Sequence, residues 1–146
     1  MDFFTSFKIC SSGLAAQRAK MDVVTSNIAN VSTTKTPEGG PYKRKIISFS
    51  ADPIKEELSK ENFRSKIKDA LNAVKVGSVV ESKEPMKTIY DPAHPDADKN
   101  GFVVMPNVNV VMEMTDMITA GRSYEANVAA FDATKSMAVT TLNIGK

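Results

Sequence analysis

Proline occurs seven times in this 146-residue chain, and all seven (Pro37, Pro41, Pro53, Pro85, Pro92, Pro95 and Pro106) fall between residues 37 and 106. A proline ring removes a backbone donor and clashes with the preceding turn, so it is excluded from helix interiors. The two ends are therefore free to be helical and the middle is not. A three-part organisation follows: an N-terminal helix within 1–36, a β-containing body over 37–106, and a C-terminal helix within 107–146. The predicted fold class is mainly α with a small β part, with long terminal helices forming a coiled-coil-like hairpin beside a small middle body.

The spacing of apolar residues supports the helical ends. Phe3, Phe7, Cys10, Leu14, Gln17, Met21, Val24 and Ile28 recur at alternating steps of four and three, the seam pattern of packed helices. Asp2 is placed to cap this helix, and Val31 to Thr34 followed by Pro37 to end it. Val110, Met114, Met117, Gly121, Tyr124, Val128, Phe131, Lys135, Ala138 and Leu142 repeat the same steps, interrupted in character only by Gly121 and Lys135. Asn107 or Asn109 is a suitable N-cap and Gly145 a suitable stop. At about 1.5 Å per residue the two helices would run roughly 42 and 52 Å. A compact globule of this size is only about 38 Å across, so an elongated molecule is expected.

In the middle, Tyr42 to Phe49, Val74 to Ser82, Met86 to Tyr90 and Phe102 to Met105 read as strands. The charged run 54–73, which overlaps the charged segment 52–72 of the middle body, reads as a short exposed helix or a disordered loop. Residues 91–101 are a turn cluster.

Composition closes off most chemistry. One cysteine permits no internal disulfide and no thiolate zinc cluster, and one histidine permits no site needing two imidazoles. No apolar stretch is long enough to cross a membrane. The opening Met1-Asp2-Phe3-Phe4 puts an acid where a basic leader region would stand, so no secretory leader is expected. Net charge is +2, which predicts no nucleic-acid partner. Cys10 lies on the apolar stripe and reads as a small hydrophobe.

Three motifs invite a chemical reading. Asp96-Ala97-Asp98-Lys99-Asn100-Gly101 matches the opening of a calcium-binding loop, but Asn107 stands where the closing carboxylate is required. The simpler reading is a tight turn with Gly101 at positive φ. His94, beside Asp91 and Asp96, has the partners of a general base but no nucleophile motif near it. Lys43-Arg44-Lys45 is too short to define an anion site, and strand alternation turns its middle residue to the opposite face; a solvated surface or an acidic partner fits better. No catalytic residue, metal site, cofactor or small-molecule substrate is expected. Five of the eight methionines (Met105, Met112, Met114, Met117 and Met137) lie in or beside the C-terminal helix, which implies contact with another helix. The residues thus suggest an assembly subunit, with a calcium module on Asp96 and Asp98 or a non-polymerising helical-hairpin adaptor as alternatives.

Longer motifs narrow this. Ser12-Gly13-Leu14-Ala15-Ala16-Gln17-Arg18, Met21-Asp22-Val23 and Ser26-Asn27-Ile28-Ala29-Asn30 resemble the N-terminal signature of the bacterial flagellar rod and hook proteins. Gly39-Gly40-Pro41-Tyr42, Tyr90-Asp91-Pro92, His94-Pro95-Asp96-Ala97-Asp98, Pro106-Asn107-Val108-Asn109 and Arg122-Ser123-Tyr124-Glu125-Ala126-Asn127-Val128 are similar to its proximal-rod branch. Ala93 stands where that branch often has glycine. The resemblance implies a structural subunit of the proximal rod of the basal body, required for motility, which transmits torque and lines the export channel. It implies contact with copies of itself, with rod subunits of the FlgB, FlgF and FlgG types, and with the basal-body rings and export gate. It also implies export through the flagellar type III apparatus to a periplasmic rod. Seam residues Phe3, Phe7, Cys10, Leu14, Met21, Val24, Ile28, Val110, Met114, Met117, Tyr124, Val128, Phe131 and Leu142 would form the helix contacts.

Overall fold

The computed structural model describes residues 3–53 and 71–144. Helix α1 spans Phe3–Ala29, and strands β1 (Lys45–Pro53), β2 (Asn72–Glu81), β3 (Lys87–Tyr90) and β4 (Phe102–Met105) precede helix α2 (Val110–Ile144). The chain is therefore mainly helical, with two small two-stranded sheets, as the proline distribution predicts. Both helices occupy proline-free sequence. The cap expected at Asp2, the stop at Gly145, the Phe3 side chain and the helix or loop expected over 54–70 lie outside the described residues.

Two strand boundaries differ from expectation. β1 begins at Lys45 and not at Tyr42, because the Tyr42 amide donates to the Thr33 carbonyl at 3.0 Å, returning the chain to the end of α1 instead of to a neighbouring strand. β2 begins at Asn72, two residues inside the run read as a charged helix or loop. The β-branched residues of VKVGSVV carry the strand back through Ala73, which is buried.

The chain divides into two compact units. One comprises Met1–Ala19, Ser48–Ser78 and Ala120–Lys146. Its helical segments run antiparallel, with the Phe7 and Phe131 rings edge to face at 4.8 Å and Gly13 against the Asn127 side chain. A Cβ at Gly13 would lie 3.1 Å from Asn127 Nδ2, so the glycine permits the close approach. The strand segments in this unit are joined by Ser48 Oγ donating to the Ser78 carbonyl, and the Val74 amide donates to Ser12 Oγ at 3.1 Å. Buried side chains are small: Ala16, Ala73 and Ala120.

The other unit comprises Lys20–Ile47 and Val79–Thr119. Its helical segments are also antiparallel, linked by Lys20 to Asp116 at 2.9 Å. β3 and β4 pair antiparallel, with Tyr90 opposite Phe102 and Ile89 opposite Val103. Their connection closes on Gly101 at φ +79°, where any side chain would be strained and would press on the Tyr90 ring, 2.9 Å from a Cβ. Val24, Tyr42, Val103 and Val108 form the apolar core of this unit.

Candidate functional site

The most completely buried large side chains include an acid and an amide. Glu113 and Asn27 are each 1% exposed, and burial of such groups is tolerated only when their hydrogen bonds are made. Asn109 caps α2, its Oδ1 accepting from the Val111 amide at 3.1 Å. That cap places Glu113 in the first turn, facing the end of α1. Glu113 Oε1 accepts from Arg44 Nε at 2.6 Å and Oε2 from Asn27 Nδ2 at 3.0 Å.

Asn27 uses its whole donor and acceptor capacity. Its amide nitrogen also donates to the Lys45 carbonyl at 2.9 Å. Its oxygen accepts from the Lys45 amide at 2.9 Å and from the Tyr42 hydroxyl at 3.0 Å. Asn107 extends the network: its Oδ1 accepts from the Arg44 amide at 2.9 Å and its Nδ2 donates to the Glu84 carbonyl at 3.0 Å. No buried side-chain polar atom among the described residues lacks a partner. The arrangement is a clamp: two amide side chains hold the backbone of the 42–45 segment while Arg44 and Glu113 neutralise each other.

The remaining motif residues of this unit shape its turns. Asn30 Nδ2 donates to the Ser26 carbonyl at 2.8 Å, and Thr33 Oγ1 donates to Asn30 Oδ1, finishing α1. Gly39 and Gly40, at φ +89° and +80°, turn the chain into Pro41. Asp91 Oδ1 accepts from the Ala93 amide, two residues on across Pro92. The Asp96 amide, after Pro95, donates to His94 Nδ1 at 3.1 Å, and Asp96 Oδ2 accepts from Thr34 Oγ1 at 2.7 Å. The Gly101 amide donates to the Asp98 carbonyl. This is the tight-turn geometry, and Pro106 is buried where the chain leaves β4. Among the described residues, no group of three or more His, Cys, Asp or Glu is arranged to hold a metal ion.

The basic triplet resolves differently for each member. Lys43 pairs with Glu81 at 2.9 Å on the surface, where the hydrogen bond and charge of Glu81 raise its pKa. Lys45 lies over the Tyr42 ring, 5.8 Å from its centroid. Arg44 turns inward, so its acidic partner is within its own chain. Sequence reading missed both Arg44 and Glu113 as site residues. The signal for Glu113 was an acid within the apolar run Val110-Val111-Met112-Glu113-Met114, and that for Arg44 was the alternation that sets it opposite Lys43 and Lys45.

The helix stripes occupy distinct environments. In α1, Phe7, Cys10, Leu14, Met21, Val24 and Ile28 are all shielded, while Phe4, Lys8, Ser11, Ala15, Arg18, Asp22 and Thr25 form an exposed stripe at the same steps. In α2 the shielded face follows Glu113, Asp116, Ala120, Tyr124, Asn127, Phe131, Thr134 and Ala138. Tyr124 and Phe131 thus face inward, while Val110, Met114, Met117, Val128 and Leu142 are exposed. Val111, Met112, Ile118 and Met137 are exposed as well. Arg122 and Glu125 are also exposed.

Comparisons with known proteins align with these segments. The profile described as "Flagella basal body rod protein" matches residues 7–35, and that described as "Flagellar basal body rod FlgEFG protein C-terminal" matches 99–144. The chain is 46% identical to the flagellar basal-body rod protein FlgC of Borreliella burgdorferi, over 99% of this chain and 98% of the relative. It is 41% identical to FlgC of Bacillus subtilis and 40% identical to FlgC of Salmonella typhimurium, each over the full length of both chains.

Proposed function

The chain belongs to the FlgC family of flagellar basal-body rod proteins, and from that premise we propose how it serves as a structural subunit of the rod. A rod subunit is part of the basal body and associates with other rod components; its relatives' names describe a rod protein and no reaction. The observation that carries the mechanism is the exposure of α2. Val111 and Leu142 are 72% and 73% exposed, and apolar residues stand well beyond the face that α2 buries within the chain. A helix apolar on most of its circumference belongs in an interior, and patches of this kind mark interaction sites.

In this reading the shielded residues Phe7, Cys10, Leu14, Met21, Val24, Ile28, Tyr124 and Phe131 serve packing within the subunit. Val110, Met114, Met117, Val128 and Leu142 serve packing between subunits. Phe3 belongs to the same seam by its spacing. The ends 1–36 and 107–146 are the axial part and 37–106 the outer body of a proximal-rod subunit that lines the export channel and transmits torque. Its neighbours are copies of itself and rod subunits of the FlgB, FlgF and FlgG types, with the basal-body rings and the export gate at the base. It reaches a periplasmic rod through the flagellar type III apparatus. Leu142→Asp, at a position exposed in the single chain, is expected to leave expression intact and to abolish incorporation into isolated basal bodies and swimming. Normal motility in that variant rejects the interface.

A further inference from the structure

Six charged residues lie on the described part of α2, and two are accounted for: Glu113 by Arg44 and Asp116 by Lys20. The other four, Arg122, Glu125, Asp132 and Lys135, are exposed, and none has a hydrogen-bond or ion-pair partner among the described residues. Ile118, Val128 and Val139 are exposed on the same stretch of helix. Elsewhere on this helix the threonine hydroxyls are satisfied internally: Thr115, Thr134, Thr140 and Thr141 each donate to the carbonyl four residues back. Such a surface can be covered without stranding a hydroxyl. Four charges covered without partners would oppose the contact.

Their order is informative. Arg122 and Glu125 read positive then negative; Asp132 and Lys135, ten residues on, read negative then positive. Ten residues amount to about 15 Å along a helix and leave the two pairs about 80° apart around it. The geometry points to a contact with a second copy of this chain, whose α2 runs parallel and is displaced by ten residues, so that Arg122 meets the neighbour's Asp132 and Glu125 meets the neighbour's Lys135. This rests on the rod-subunit reading and adds the register at which α2 of one copy meets α2 of the next. Asp132 and Lys135 border a shallow depression with Ser136, Val139 and Thr140, open to a side chain from a neighbour. Each copy offers one face to the copy ahead and a different face to the copy behind, the heterologous arrangement that propagates. Two alternatives are less complete. Unshifted parallel helices set like charges together. An antiparallel pair matches Arg122 with the partner's Glu125 but closes on itself and leaves Asp132 and Lys135 without partners.

Charge exchange in the flagellated host, with the variant as the sole copy, tests the register. Arg122→Asp is expected to lose most of the swimming halo and most of the subunit retained in basal bodies, and Arg122→Asp with Asp132→Arg to regain both. Full swimming of Arg122→Asp, or failure of Asp132→Arg to rescue it, overturns the proposal. Rescue by Glu125→Lys instead assigns the antiparallel pair and also overturns it. A second measurement does not depend on rescue. Oxidation of basal bodies carrying Arg122→Cys and Asp132→Cys, in a Cys10→Ser background, is expected to give a ladder of linked subunits that neither single cysteine gives. Incorporation without a ladder rejects the register and leaves the rod-subunit reading intact, whereas that reading is itself tested by Leu142→Asp.

Discussion

Glu113 shows how one residue can decide a local fold. Its carboxylate is held by Arg44 and Asn27 away from water. Removing one partner of a buried ion pair leaves the other charge uncompensated, at about 3–5 kcal/mol. Arg44→Met is therefore expected to lower the urea midpoint of the isolated chain strongly, whereas Lys43→Ala leaves it unchanged, because the Lys43–Glu81 pair is exposed. A shift of equal size in both variants would show that burial does not set the value of the pair. The raised pKa of Lys43 has a defined sign. Whatever the pair contributes is fully present at neutral pH and is lost only as the solution becomes alkaline enough to pass the raised value. None of this could be read from Lys43-Arg44-Lys45 alone. Alternation places Arg44 opposite its neighbours, but only the tertiary fold brings Glu113, 69 residues away, to meet it.

At the scale of elements, local signals carried much of the information. Proline-free sequence and four-three spacing gave both helices, and β-branched runs bounded by turns gave the strands to within a few residues. The start of α2 depends on Asn109, whose side chain satisfies an amide that the helix leaves unpaired. Asn109→Ala is expected to cost about 1 kcal/mol, read as a lower helix melting midpoint by circular dichroism, with Asn109→Ser close to the original. An unchanged midpoint in the alanine variant would mean that packing of Glu113, not the cap, anchors the helix start. Asn107, the other candidate cap, instead holds Arg44 and Glu84. Both asparagines are legible as caps; which one acts is decided by where the preceding strand ends. The inward face of α2 was harder to read. Apolar residues occur on most of its circumference, so periodicity alone selects no face. Lys20, Asn27 and Arg44 draw Asp116 and Glu113 inward and leave Met114 and Met117 exposed.

At the scale of the molecule, many large apolar side chains lie outside while several of the buried positions hold small ones. Ala16, Ala73 and Ala120 are buried while Leu142 and Ile144 are exposed. Burial of a leucine is worth about 1.5–3 kcal/mol, so much of the available hydrophobic stabilisation is unrealised in a single chain and becomes available on assembly. The dilute chain is accordingly expected to bind a hydrophobic dye and to melt with low cooperativity at its helical ends. A sharp, dye-free melt would favour the adaptor that needs no polymer. The sequence alone determined the helical ends, the strand-bearing middle and the family, because proline chemistry, side-chain spacing and long motifs are properties of neighbouring residues. Only the tertiary structure decided which apolar residues are spent inside the subunit, and which acid and amide close the clamp. Those choices depend on side chains 60 to 90 residues apart meeting in space, and no local period encodes such a meeting.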